Sequence, residues 1–234
     1  MILTDLWYFV FIAPAFVLAL WAQARTKGAY AAASQVPARL SGAAAARHLL
    51  DSAGLQNVAI EPIAGQLTDH YDPSHRVLRL SEGVYGARTM AAVGIAAHEA
   101  GHALQHAQNY SPLVIRNMAV PAANFGGGLG GLMIFGGFML AQAGSAFGSM
   151  LILAGIAAFS AVVFFQLINL PVEFDASNRA KAQLVSYGIV PQQEMSYVNN
   201  VLNAAAWTYV AGTLQSIMIL VYYIWRYAGS SSDR

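Results

Sequence analysis

Asn117 to Val172 contains no Asp, Glu, Lys, Arg or His, an uninterrupted run of 56 residues. One helix crosses the hydrocarbon core of a bilayer with about 20 apolar residues. The run therefore predicts two spans, and Ala143-Gly144-Ser145-Ala146-Phe147-Gly148-Ser149 supplies the small residues of a turn between them. Leu6 to Ala24 and Met195 to Trp225 are two further uncharged runs, the apolar part of the last beginning near Ala204. Together they predict four spans, at 6–23, 121–142, 149–170 and 205–226. The soluble alternative fails because no water-soluble core calls for so long a stretch without an ionisable group.

Composition agrees. Hydrophobic residues make up 57 % of the chain and charged residues 10 %, where a soluble domain carries about a quarter charged. Trp7 and Trp21 bracket the first span, while Trp207 and Tyr209 flank one end of the last and Tyr222, Tyr223, Trp225 and Tyr227 the other. Such amphipathic rings favour the headgroup level. Gly126–Gly128, Gly130, Gly131, Gly136 and Gly137 would weaken a soluble helix, but in lipid they let helices pack closely. Net charge is +1 and there is no basic stripe, so a nucleic-acid partner is not expected. The chain has no cysteine, which removes disulfides, thiolate metal sites and cysteine nucleophiles together.

Ala22-Gln23-Ala24 resembles a signal-peptide cleavage site, but Met1-Ile2-Leu3-Thr4-Asp5 lacks the positive charge of a signal's leading region. The first span reads instead as an uncleaved anchor followed by Arg25 and Lys27. Segment 24–120 holds eight of the twelve Lys and Arg, and Arg179 and Lys181 add two in segment 171–204. Arg226 and Arg234 alone fall on the opposite side. The positive-inside rule then places both polar segments in the cytoplasm of a multi-pass cell-membrane protein.

Within 24–120, Ser41 caps a predicted helix through Leu50, Asn57 to Ile60 reads as a strand, and Gln66–His70 and His75–Leu80 read as a hairpin turning at Asp72-Pro73-Ser74. Thr89 opens an alanine-rich helix to about Ala107. Pro171 suits a first helical position, and Pro191 restarts a helix leading to the last span.

That alanine-rich helix carries His98-Glu99-Ala100-Gly101-His102. Histidines four apart share one helix face and can grip one zinc ion. Glu99 is offset by about 100°, so it sits beside a metal rather than on it, where it can take a proton from water. His106 continues the stripe, but lies about 12 Å from His98 along the axis, too far to share one ion. His48, His70 and His75 stand in less defined contexts. Glu173 is the better third ligand: it is the first acidic residue after Glu99 and follows the third span, on the same side of the membrane as His98. Asp175 and Arg179, four apart, read as a surface ion pair.

Ala97–Gln105 and Leu170-Pro171-Val172-Glu173-Phe174-Asp175-Ala176-Ser177, with Leu67–Pro73 and Leu78-Arg79-Leu80-Ser81 upstream, resemble the YugP-type neutral zinc membrane metallopeptidases over about residues 5–227. The resemblance implies zinc-dependent proteolysis at a membrane, with one Zn2+ per chain, His98, His102 and Glu173 as ligands and Glu99 as the catalytic carboxylate. The wider gluzincin group carries an Asp four residues after its ligand Glu, orienting a zinc histidine. Here that position is Ser177, which leaves Asp69 and Asp175 as alternative partners of the histidines.

The expected fold is a predominantly α-helical multi-pass membrane protein with four transmembrane helices and a small α+β zincin-like metallopeptidase domain. Its expected segments are 6–23 (first span), 24–120 (polar domain with the metal helix), 121–170 (membrane hairpin), 171–204 (helical segment with the third ligand) and 205–226 (last span). The expected function is membrane-embedded zinc endopeptidase at the cytoplasmic membrane surface, with the lipid bilayer as partner and membrane proteins or peptides as substrates. The competing reading is an inactive protease-like scaffold that keeps its zinc. Retention of Glu99 argues against it, because a binding-only site has no use for a base. A metal transporter would place ionisable ligands inside the spans, and His98, His102 and Glu173 lie outside them. Homo-oligomers and membrane partners are open at this level.

Overall fold

The computed structural model describes residues 5–232. Residues 1–4 and Arg234, which entered the arguments on leader and orientation, lie outside that range. In chain order the elements are α1 (Leu6–Ser34), α2 (Gly42–Ser52), β1 (Ala59–Ile63), β2 (His70–Asp72), β3 (Val77–Ser81), α3 (Glu82–Tyr85), α4 (Met90–Ala107), α5 (Ser111–Phe125), a π-helical turn (Gly126–Gly130), α6 (Gly131–Gln142), α7 (Ala146–Ser186) and α8 (Met195–Ser232). Four helical runs are long and apolar enough to cross a membrane: Leu6–Ser34, Ser111–Gln142, Ala146–Ser186 and Met195–Gly229. The fold is that of a helical membrane protein with a small three-stranded sheet.

The chain divides into two compact units. The first comprises Met1–Leu20, Ile115–Leu170 and Tyr209–Arg234. Its α6–α7 hairpin is built by backbone approach. A Cβ on Gly137 would lie 2.8 Å from the Gly148 carbonyl oxygen, and one on Gly155 would lie 2.8 Å from that of Gly130. Where lipid tails are as apolar as leucine, such close packing replaces the hydrophobic drive. The π turn falls on Gly-Gly-Gly-Leu-Gly, where few side chains resist the wider ring. Phe16, Leu132, Met139, Met150 and Phe164 are exposed, as lipid-facing residues are. At the end of this unit Asp5 accepts the buried Tyr222 hydroxyl at 3.0 Å and pairs with Arg226 at 3.3 Å.

The second unit comprises Trp21–Val114 and Pro171–Thr208. Its sheet has the order β1-β3-β2. β1 runs parallel to β3, from Ala59 opposite Val77 to Ile63 opposite Ser81, and β2 runs antiparallel, with His70 opposite Arg79. A hairpin is present with shifted strands, His70–Asp72 where 66–70 was expected and Val77–Ser81 where 75–80 was expected, and the Asp72 carboxylate holds its turn by accepting from the Ser74 amide at 2.9 Å. β1 also differs from the sequence reading. β1 begins later than expected, because the Arg47 guanidinium takes the carbonyls of Leu55 and Val58 at 2.9 and 2.7 Å, holding that stretch out of the ladder. β3 is the central strand, buried at Val77, Leu78, Leu80 and Ser81.

α4 is the axis of this unit. The Thr89 side chain caps it by accepting from the Ala92 amide at 3.2 Å. Its buried Ala91, Ala92, Ala96, Ala97, Ala100 and Ala103 keep it slim. Around it one core gathers Leu49 and Leu50 of α2, Leu78 and Leu80 of β3, Leu184 of α7, and Val198 and Leu202 of α8. Pro171 is not a helix start but lies inside α7. It removes a single backbone bond, to the carbonyl four residues earlier, and the long helix carries on through it.

Candidate metal centre

Gly101 sets the site. A Cβ there would stand 2.6 Å from the Ala176 carbonyl oxygen, so only glycine lets α4 lie directly against the 171–186 stretch of α7. That contact brings together side chains 71 residues apart in the chain, from His102 to Glu173. The Glu173 Oε2 atom lies 3.3 Å from Nε2 of His98 and 3.6 Å from Nε2 of His102. Ligand atoms of the three residues fall within 4.8 Å of one another. Bonds of about 2.0–2.1 Å in a tetrahedron put neighbouring ligand atoms roughly 3.3 Å apart, so this spacing fits one small metal ion.

The hydrogen bonds say which ring nitrogens are free. Gln105, fully buried, donates its amide NH2 to the Val172 carbonyl and to an Asp175 carboxylate oxygen, each at 2.8 Å. Two acceptors on that side fix the amide, so its oxygen faces His102 and accepts from Nδ1 at 3.0 Å. The Nδ1 proton is thus committed, and the Nε2 lone pair faces Glu173. His98 Nδ1 is likewise held at 3.0 Å by the Ser177 hydroxyl. Orienting bonds of this kind fix tautomer and ring direction at metal histidines.

Glu173 Oε2 is buried and has no hydrogen-bond partner. An unsatisfied buried carboxylate oxygen costs on the order of 1–3 kcal/mol or more, which a cation would offset. Without one, the groups lean on each other. Burial disfavours charge on His102, but Glu173 and Glu99 outweigh it and raise its pKa above the ordinary histidine value. A metal would displace that proton. The residues present therefore fit zinc.

Glu99 is nearly buried on the same helix and is not among the three clustered residues. His106 stands apart: its Nδ1 is 2.8 Å from the Tyr71 hydroxyl. Asp69 accepts from the Ser81 amide at 2.8 Å and is not among the hydrogen-bond partners of His98 or His102. Ser177, four residues after Glu173, bonds to His98, and Asp175 reaches His102 through Gln105. Asp175 is more than a surface pair with Arg179, since it also anchors that relay. The sequence reading missed Gln105. Its signal was a polar residue three positions after His102 on the same face of an alanine helix.

A family described as "putative neutral zinc metallopeptidase" matches residues 8–228. The chain belongs to that family. It is also similar to the protein called "Putative membrane protease YugP" of Bacillus subtilis strain 168, at 48 % identity over 210 residues, covering 88 % of this chain and 90 % of that one. No solved structure matches the chain. Within the family's matched span lie His98, His102, Glu173 and their hydrogen-bonded partners Gln105, Ser177 and Asp175.

Proposed function

We propose that the chain is a membrane-embedded, gluzincin-like zinc endopeptidase acting at the cytoplasmic membrane surface. The observation that carries the reading is the pair of Nε2 atoms converging on an unsatisfied, buried Glu173 oxygen. His98, His102 and Glu173 would hold one zinc ion, and Gln105 and Ser177 would keep both imidazoles aligned. Zinc bound there supplies Lewis acidity toward a peptide carbonyl and toward water. Glu99 takes the water proton as general base and hands it to the leaving amine. Substrates are membrane proteins or peptides, as suits a site whose third ligand follows a span by three residues in sequence, at Glu173 after Leu170.

Glu99→Gln tests the chemistry. The variant is expected to keep its zinc and to cut peptides about a hundredfold more slowly or worse. Near-normal turnover would move the base elsewhere. Location is tested by single cysteines at Gln35 and Ser230, labelled on intact cells with an impermeant thiol reagent. Labelling at 230 and protection at 35 are expected from the Lys and Arg distribution; the reverse pattern contradicts the cytoplasmic site.

A further inference from the structure

A cleft of about 330 Å³ opens beside the C-terminal end of α4, with Asn57, Tyr71, Arg76, His106 and Asn109 as its polar lining over Ala103. No Asp or Glu lines it. Arg47, Arg79, Arg179 and Arg226 each pair with a carboxylate; Arg76, like Arg25, Arg39, Arg88 and Arg116, has no carboxylate partner among the described residues, and of these five it alone lines the cleft. The nearby Asp72 is already committed, 2.8 Å from both Arg79 and His75. Arg76, an exposed residue with no carboxylate partner, thus lines a cleft furnished with amide, phenol and imidazole groups.

The backbone is unusual here as well. Among the described residues three non-glycine positions have positive φ, and two of them, Arg76 at 52° and Asn109 at 49°, line this cleft. L-residues with side chains avoid that region, and positions held there gather at functional sites.

The cleft is close to the metal centre along one helix. His106 follows His102 by one turn, about 6 Å along α4. Tyr71, at the middle of the outer strand β2, reaches its Nδ1. An extended peptide advances about 3.3 Å per residue. Along α4, a substrate whose scissile bond met the metal would reach the level of His106 about two or three residues away.

We propose that this cleft is a substrate subsite for a carboxylate, carried by an Asp or Glu side chain or by a free C-terminus. Arg76 forms the charge-assisted bonds, which a planar guanidinium makes well to a carboxylate. Asn57 and Asn109 offer amide donors, and the Tyr71–His106 pair closes the inner side. The subsite rests on the metallopeptidase reading above.

The test uses the full chain purified in detergent. Decapeptides of Ala, Leu and Ser carry one Glu moved stepwise along the sequence, each with a Gln counterpart and with a free or an amidated C-terminus. Mass spectrometry reads cleavage rates. One Glu position is expected to be cut about tenfold faster than its Gln partner, the ratio one charge-assisted hydrogen bond sustains. A preference for the free C-terminus over the amide, with none for Glu, would assign the carboxylate to the chain end. Arg76→Asn, which suits the positive φ, should bring the ratio to within about twofold. With a Lys counterpart added at each position, Arg76→Glu should turn the preference toward Lys. Equal rates for acid and amide throughout, or a preference surviving Arg76→Asn, overturn the proposal. The same peptides, fluorescein-labelled, are bound to Glu99→Gln and followed by anisotropy. If the wild type cuts nothing, the peptidase reading fails, and binding still decides the cleft: an Arg76-dependent carboxylate preference supports it and its absence overturns it.

Discussion

The two units of this chain hold their helices together by opposite means. In the first, α6 and α7 meet through glycine, with carbonyl oxygens standing where a Cβ would go, at Gly137 against Gly148 and Gly155 against Gly130. In the second, an alanine helix sits in a leucine and valine core, and a polar chain runs from His102 through Gln105 to Asp175 and Arg179. Lipid offers no hydrophobic drive, so the first unit depends on shape. The second shares one device with it, Gly101 beneath the Ala176 carbonyl, and uses it to bring the candidate ligands together. The same glycine contact is structural in one unit and site-forming in the other.

That contrast can be broken directly. Gly101→Val and Gly137→Val both force a side chain into backbone, and each should cost about 1–3 kcal/mol of stability in thermal or denaturant unfolding. Only Gly101→Val should also weaken zinc binding, by tenfold or more, because it displaces Glu173 and Ser177 from the histidines. Equal zinc affinity in both variants would show that the contact under Gly101 does not set the site.

A smaller effect sharpens the comparison within the second unit. Gln105→Leu should lower zinc affinity about 10–100-fold while leaving the three ligands in place, as loss of an orienting partner does. Asp175→Ala should cost less than about tenfold, since the Val172 carbonyl still holds the Gln105 amide. A larger loss at Asp175 than at Gln105 would mean the relay does not run through the glutamine.

Much of this was legible in the sequence, for particular reasons. Charge-free runs announce long apolar helices because ionisable groups are so costly in hydrocarbon. The spacing of His98 and His102 announces a shared helix face, and Glu173 stood out as the first acid after Glu99. Non-local pairing was harder. The Asp72-Pro73-Ser74 turn named a hairpin, but nothing local could reveal that β1 returns parallel on the other side of β3. Pro171 looked like a helix start because its cost inside a long helix is a tertiary matter. Gln105 escaped notice because its value lies entirely in what stands around it, 67 and 70 residues away at Val172 and Asp175.

The central claim is that Glu173, not a third histidine, completes a zinc site with His98 and His102. Competition titration of purified variants against a zinc chelator tests it. One zinc per chain is expected in the wild type and in His106→Ala, with equal affinity. His98→Ala and His102→Ala should lose the ion, and Glu173→Ala should bind it at least about a hundredfold more weakly, since three protein ligands are the minimum of a catalytic zinc site. Unchanged affinity in Glu173→Ala, with loss in His106→Ala, would contradict the account.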